Sequence, residues 1–159
     1  MSKTQLIGKD AMVPLHPCFP VTTKLDGVTI HSVASFLIAL TIEDAPAQAL
    51  ACSQIPETAS KLASRALGVV NRGSSNGKIY WKGEAISRSS QQYDNLLDRL
   101  FIKLLESNQL IKHALLNTAE KNLMLHPRAM RLIGHHINRD EYSRRLKGLK
   151  AGARTYATA

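Results

Sequence analysis

SVASFLIALTI, residues Ser32 to Ile42, is apolar on every face of the helix it predicts. Val33, Phe36, Leu37 and Leu40 recur at the i, i+3, i+4, i+7 spacing of one helix face, while Ala34, Ile38 and Ala39 make the remaining faces apolar too. A helix with no polar face is buried on all sides. Ser32 is placed to cap its first turn, and Asp44-Ala45-Pro46 is placed to end it, because proline disfavours helix in the residue before it. At about 1.5 Å per residue the segment spans about 16 Å, too short to cross a bilayer. The stretch is therefore expected to be the central core helix of a globular domain.

On its N-terminal side, VPLHPCFP (Val13 to Pro20) carries three prolines and predicts an irregular or extended segment. Val21 to Ile30 reads as a hairpin, VTT-KLDG-VTI, with β-branched arms and an Asp26-Gly27 turn. On the C-terminal side, Ala47 to Ser53 predicts a short alanine-rich helix, and a second helix starts at Pro56 and runs to Gly68. The loop NRGSSNG, residues 71–77, lacks the GxxxxGK[ST] order of a nucleotide-binding loop. Ile79-Tyr80-Trp81 predicts a short strand between Gly77 and Gly83, with Trp81 as a packing residue.

Tyr93, Leu96, Leu97, Leu100, Phe101, Leu104 and Leu105 form the clearest amphipathic helix, and Asn108 is placed to cap the next, which turns Leu110, Ile111, Ala114 and Leu115 inward. Together they predict an αα-hairpin packed on the central helix. Beyond Pro127 a weaker surface helix carries Ile137, Leu146 and Leu149 and ends in AGARTYATA, whose composition predicts disorder. The fold class expected is mostly α with a few short strands: a lead-in at 1–12, one domain at 13–149, and a basic tail at 150–159.

A length of 159 residues suits one domain that buries roughly two thirds of its unfolded surface without disulfides or metal. Cys18 and Cys52 have no metal-ligand spacing and read as buried free thiols. The opening MSKTQLIGKD has no apolar signal-peptide core, and no apolar run reaches about 18 residues, so a soluble cytoplasmic protein without membrane contact is expected. No cofactor or metal is expected either.

The charge is uneven. Of the net +9, most arises in the C-terminal end, where Arg128, Arg131, Arg139, Arg144, Arg145, Lys147, Lys150 and Arg154 face only Asp140 and Glu141. Such an end can neutralise phosphates or dock on an acidic protein surface. Aromatic residues are scarce there, with only Tyr142 and Tyr156, so a base-stacking platform for single strands is not indicated. His135 and His136, as neighbours on a helix, are expected to point apart and to form no catalytic or metal pair.

Several segments, in this order, resemble the NADAR (YbiA-like) family: Pro20-Val21 and Leu25-Asp26-Gly27, the helix entry Ser32-Val33, the stretch PETASKLASR from Pro56 to Arg65, then Lys103, Asn108-Gln109-Leu110 and Leu115-Leu116-Asn117-Thr118. The resemblance spans about residues 15–134. It implies a small, mostly helical YbiA-like fold and, in active members, N-glycosidase chemistry on ADP-ribose or ribose-phosphate substrates. Such chemistry needs a carboxylate to activate water or steady an oxocarbenium-like centre. The family's glutamate after Ser-Val falls on Ala34, its glutamine on Ile38 and its lysine on Thr41, while the aromatic is kept as Phe36. Of its Asp-x-x-Trp-Gly segment, residues 130–134 keep only Gly134.

The resemblance thus implies a non-catalytic member, retained as a structural or adaptor component that binds protein partners in an assembly, with nucleic acid as a further partner of the basic end. Genes of that family are common in bacteriophages, which adds the virion as a setting. The alternative is a divergent N-glycosidase using Glu43 and Asp44 as its carboxylates and Arg65 as a phosphate ligand. A nucleotide-sized pocket at Glu43 and Arg65 favours that alternative; Ile38 and Ile133 packed into the space exclude it.

Overall fold

A computed structural model describes residue 7 and residues 14–67 and 77–157. The lead-in outside Ile7, and residues 71–76 of the NRGSSNG loop, lie outside the described residues. The chain runs β1 (Thr23–Leu25), β2 (Val28–Ile30), α1 (Val33–Ala39), α2 (Ala45–Cys52), α3 (Pro56–Leu67), β3 (Lys78–Trp81), β4 (Glu84–Ser87), α4 (Gln91–Ser107), α5 (Gln109–Asn117) and α6 (Arg139–Ala157), with single 3-10 turns at Glu120–Asn122 and Pro127–Met130. The expected class, one mostly helical domain with a small antiparallel hairpin, is the one observed.

All seven residues of α1 are buried. Ser32 caps it by accepting a hydrogen bond from Ser35 N at 3.2 Å, and the buried Ser35 hydroxyl accepts from the Ser32 hydroxyl at 3.0 Å and donates to Gln54 O at 2.6 Å. The helix ends at Ala39, earlier than the apolar run predicts, where Thr41 N and Ile42 N bond three residues back to Ile38 O and Ala39 O and side chains bind the same end of the chain. Thr41 Oγ1 donates to Ile38 O (2.8 Å), and the buried Gln48 amide donates to Ala39 O (3.1 Å) and Ile42 O (3.2 Å). Asp44 and Pro46, expected to stop α1, instead start α2: Asp44 Oδ2 accepts from Ala47 N at 3.0 Å, and Pro46 sits in the first turn, where its missing N–H costs nothing.

Two hairpins share one turn geometry. β1 and β2 pair with Leu25 opposite Val28, and β3 and β4 with Trp81 opposite Glu84. Both turn positions have positive φ in each case, Asp26 and Gly27 at +50° and +82°, Lys82 and Gly83 at +53° and +88°, as a two-residue turn that follows strand twist requires. The Asp26-Gly27 turn was legible from its residues. β4 was not expected, since Glu84 to Ser87 lacks a β-branched run.

α2 and α3 are the helical neighbours of α1. The α4–α5 hairpin forms, with Asn108 Oδ1 accepting from Ile111 N at 3.2 Å, but Leu110, expected to face inward, is exposed, and α4 lies along β1, β4 and α6 and not chiefly on α1. α6 is more than a surface helix: Tyr142, Ser143, Leu146 and Lys150 form a buried face, Tyr142 meets Phe101 edge to face at 5.7 Å, and helix continues through Ala157. Phe36 and Trp81 make a second edge-to-face pair at 5.3 Å, which fits the packing role expected of Trp81.

Candidate functional site

The residues expected to carry chemistry near α1 do not converge. Glu43 is exposed between α1 and α2, Asp44 is the α2 cap, and Arg65 is exposed in the last turn of α3. Among the described residues none of the three makes an ion pair with another. Ala34 is fully buried, and so are Ile38 and Ile133. A void of about 20 Å³ beside α1, bordered by Val33, Phe101 and Tyr142, holds one water at most. Both thiols are chemically quiet, since burial pushes Cys18 up to about 11 and Cys52 up to about 12. No group of three or more His, Cys, Asp and Glu side chains could hold a metal ion among the described residues. No helix among them is long and apolar enough to cross a membrane.

The basic end divides into two sets. Arg139 Nε donates to Leu125 O at 2.6 Å, and Lys150, buried, donates to Thr118 O. Arg145 is held between helices, its guanidinium 2.7 Å from Asp94, 3.3 Å from Asp98 and 3.1 Å from Glu141, and 5.7 Å from the centre of the Tyr93 ring. These three cations fasten α6 to the rest of the domain. Arg128, Arg131 and Arg144 are exposed and Lys147 is half-buried, and none of the four has an ion-pair partner among the described residues. The Arg154 side chain lies outside the described residues.

A polar cleft of about 240 Å³ opens beside the start of α6, bordered by Arg88, Tyr93, His135, His136, Asn138 and Glu141. Arg88 reaches it from the β4–α4 connection and donates from one terminal nitrogen to His136 O at 2.8 Å. Asn138 caps α6 by accepting from Glu141 N at 2.7 Å. His135 is exposed and His136 half-buried, yet both border the cleft, because residues 131–136 form turns and not the helix expected to splay them. Burial, and then the positive charges of Arg88 and His135, hold the His136 imidazole down at about 4, so it is neutral at pH 7. Its Nδ1, like Arg88 Nε, is buried without a hydrogen-bond partner.

Sequence reading missed this cluster. Arg88 is 48 residues from His136, and neither residue stands in a recognisable motif. The available signal was the lone arginine of the short connection before α4.

No curated protein and no solved structure matches the chain. The resemblance to the NADAR (YbiA-like) family is corrected by the family model that does match, Bacteriophage protein GP30.3, which covers residues 16–143. The features behind the resemblance are products of general packing: an Asp-Gly turn, a buried apolar helix, an alanine-rich helix and a leucine hairpin each satisfy constraints common to small helical domains. Both readings drawn from it fall with it, the non-catalytic NADAR-like component and the divergent N-glycosidase, and Ala34 is a core residue and not a lost catalytic glutamate. With a match from residue 16 to residue 143, spanning both hairpins, α1 to α5 and the first turn of α6, the chain belongs to the bacteriophage protein GP30.3 family.

Proposed function

We propose that this phage-family protein acts by binding, not by catalysis, and that its partner is nucleic acid, engaged through the phosphate backbone in the cytoplasm of the infected cell or in the virion. The observation that carries this reading is the set Arg128, Arg131, Arg144 and Lys147, four cations without carboxylate partners among the described residues, in a chain of net charge +9. Cations already paired within a fold add little to a phosphate contact, whereas free ones release counterions from the polymer. The absence of a catalytic role is supported by Asp44 serving as a helix cap and by the separate, exposed positions of Glu43 and Arg65.

The test is duplex-DNA binding by fluorescence anisotropy across about 50 to 200 mM salt, where log affinity falls with log salt in proportion to the phosphates neutralised. Replacing Arg128, Arg131, Arg144 and Lys147 together by glutamine is expected to reduce that slope by about three to four. An unchanged slope, or no binding at the lowest salt, overturns the reading.

A further inference from the structure

A guanidinium taken partly out of water is normally matched by a carboxylate or by hydrogen bonds to all of its nitrogens. Arg88 has neither. Its recorded bond is the one from a terminal nitrogen to His136 O at 2.8 Å, its Nε is buried and unpartnered, and no carboxylate lies within ion-pair distance among the described residues. Glu141, the acid that borders the same cleft, is engaged by Arg145 at 3.1 Å.

Backbone N–H groups and two histidines border the same cleft. α6 begins there, and its first-turn N–H groups at Arg139 and Asp140 have no partner within the helix, while Asn138 satisfies the one at Glu141. The positive end of a 19-residue helix favours an anion at that point. His136 offers a buried ring nitrogen without a partner, and His135 is exposed at the rim.

We propose that the cleft bordered by Arg88, His135, His136 and the N-terminus of α6 is a phosphate-binding site, with Arg88 as its principal ligand. A volume of about 240 Å³ admits a phosphate and part of an attached sugar, so a terminal phosphate monoester and a nucleic-acid backbone phosphate share the chemistry. Burial and the positive neighbours Arg88 and His135 hold the His136 ring down, so an anion bound beside it is expected to raise that ring's pKa. The site does not depend on the exposed cations of α6, so it stands or falls separately from the salt-slope experiment.

The experiment is an NMR titration of the full chain with inorganic phosphate, following the His136 ring and the amides of Arg139 to Glu141. Saturable shifts centred on those signals are expected. Arg88→Gln is expected to weaken binding roughly tenfold or more, the loss typical of a charge-assisted hydrogen bond. Since Arg88 also holds the His136 carbonyl, His135→Glu provides a second variant, placing a negative charge at an exposed rim position with the same expected loss. Single-stranded oligonucleotides with a 5′-phosphate or a 5′-hydroxyl then assign the source: tighter binding of the phosphorylated strand identifies a terminal phosphate, and equal binding a backbone phosphate. The proposal is overturned if phosphate gives no saturable shift, or if the shifts fall on Arg128, Arg131, Arg144 and Lys147 and both variants bind as the wild type does.

Discussion

Trp81 Nε1 donates a 2.8 Å hydrogen bond to Asp26 Oδ2, joining the end of β3 to the turn of the other hairpin across 55 residues of sequence. Arg99 of α4 grips the same carboxylate at 2.7 and 2.9 Å, and the Lys82 ammonium reaches Asp26 O at 2.9 Å. One carboxylate therefore ties the turn of the first hairpin and the end of β3 to α4. Trp81→Phe keeps the ring that packs on Phe36 and removes the donor, so a loss of about 1 kcal/mol in urea unfolding is expected.

The same site sets an acid dependence. The Trp81 hydrogen bond, and after it Arg99, holds the Asp26 carboxyl below its ordinary value of 3.8. A depressed carboxyl stabilises the fold above the unfolded value and loses that contribution as pH falls through the folded one. Urea midpoints measured between about pH 5 and pH 2 should drop less steeply in Asp26→Asn than in the wild type. Parallel curves would assign the acid limb to other carboxylates.

His136 acts in the same direction at higher pH. Its ring titrates near 4 when folded against 6.5 when exposed, so between those values the unfolded chain binds the extra proton and stability falls as pH is lowered. The loss by pH 4 is on the order of 3 kcal/mol. His136→Gln should flatten this limb, leaving stability at pH 7 to report only the change in packing.

Gln48 is the buried polar hub of the α1 end. Its amide donates to Ala39 O, Ile42 O and Tyr80 O and accepts from Lys82 N at 3.0 Å, fastening α1, α2 and β3 together. Gln48→Leu removes every one of these bonds at nearly constant volume. A loss of about 2 to 4 kcal/mol is expected by chemical denaturation, well above that of an exposed control such as Gln91→Leu.

Ala34 tests the corrected reading of α1 directly. Placing a carboxylate there by Ala34→Glu buries a charge and overfills a site with no exposed surface, so a loss of more than about 4 kcal/mol and an unfolded or insoluble product are expected. A stable Ala34→Glu protein would mean that α1 borders a cavity after all.

Arg145 and Arg144 are adjacent in sequence and opposite in role. Arg145→Gln strips the shared partner from Asp94, Asp98 and Glu141 and should cost about 1 to 3 kcal/mol, given that the two aspartates remain in water. Arg144→Gln should leave stability within about 0.5 kcal/mol. Thermal unfolding of the two variants side by side separates the cation that builds the domain from the one available to a partner.

Much of the fold was legible because its signals are local. The apolar run from Val33 marks a buried helix, Asp26-Gly27 a two-residue turn, Asn108 a cap and the leucines of α4 an amphipathic face, each depending on residues within one or two turns of chain. The end of α1 was misplaced: the chain there tightens to bonds three residues back, and Gln48, a residue of the next helix, binds the same end. β4 was missed because its pairing with β3, and not its composition, makes it a strand.

What the sequence determined by itself was the class of the fold, the burial of α1 and the excess of positive charge at the C-terminal end, all properties of composition and short-range periodicity. The tertiary structure alone decided which cations remain free and which are spent inside. Arg145 and Lys150 lie on the face of α6 that meets α4 and α5, where carboxylates and a carbonyl await them, while Arg144, one residue from Arg145, is turned to solvent. It also decided that Arg88 and His136 meet beside the mouth of α6. Contacts between distant segments arise only when the helices pack, and a helix rotation of about 100° per residue, invisible in a count of charges, sends neighbours to opposite fates.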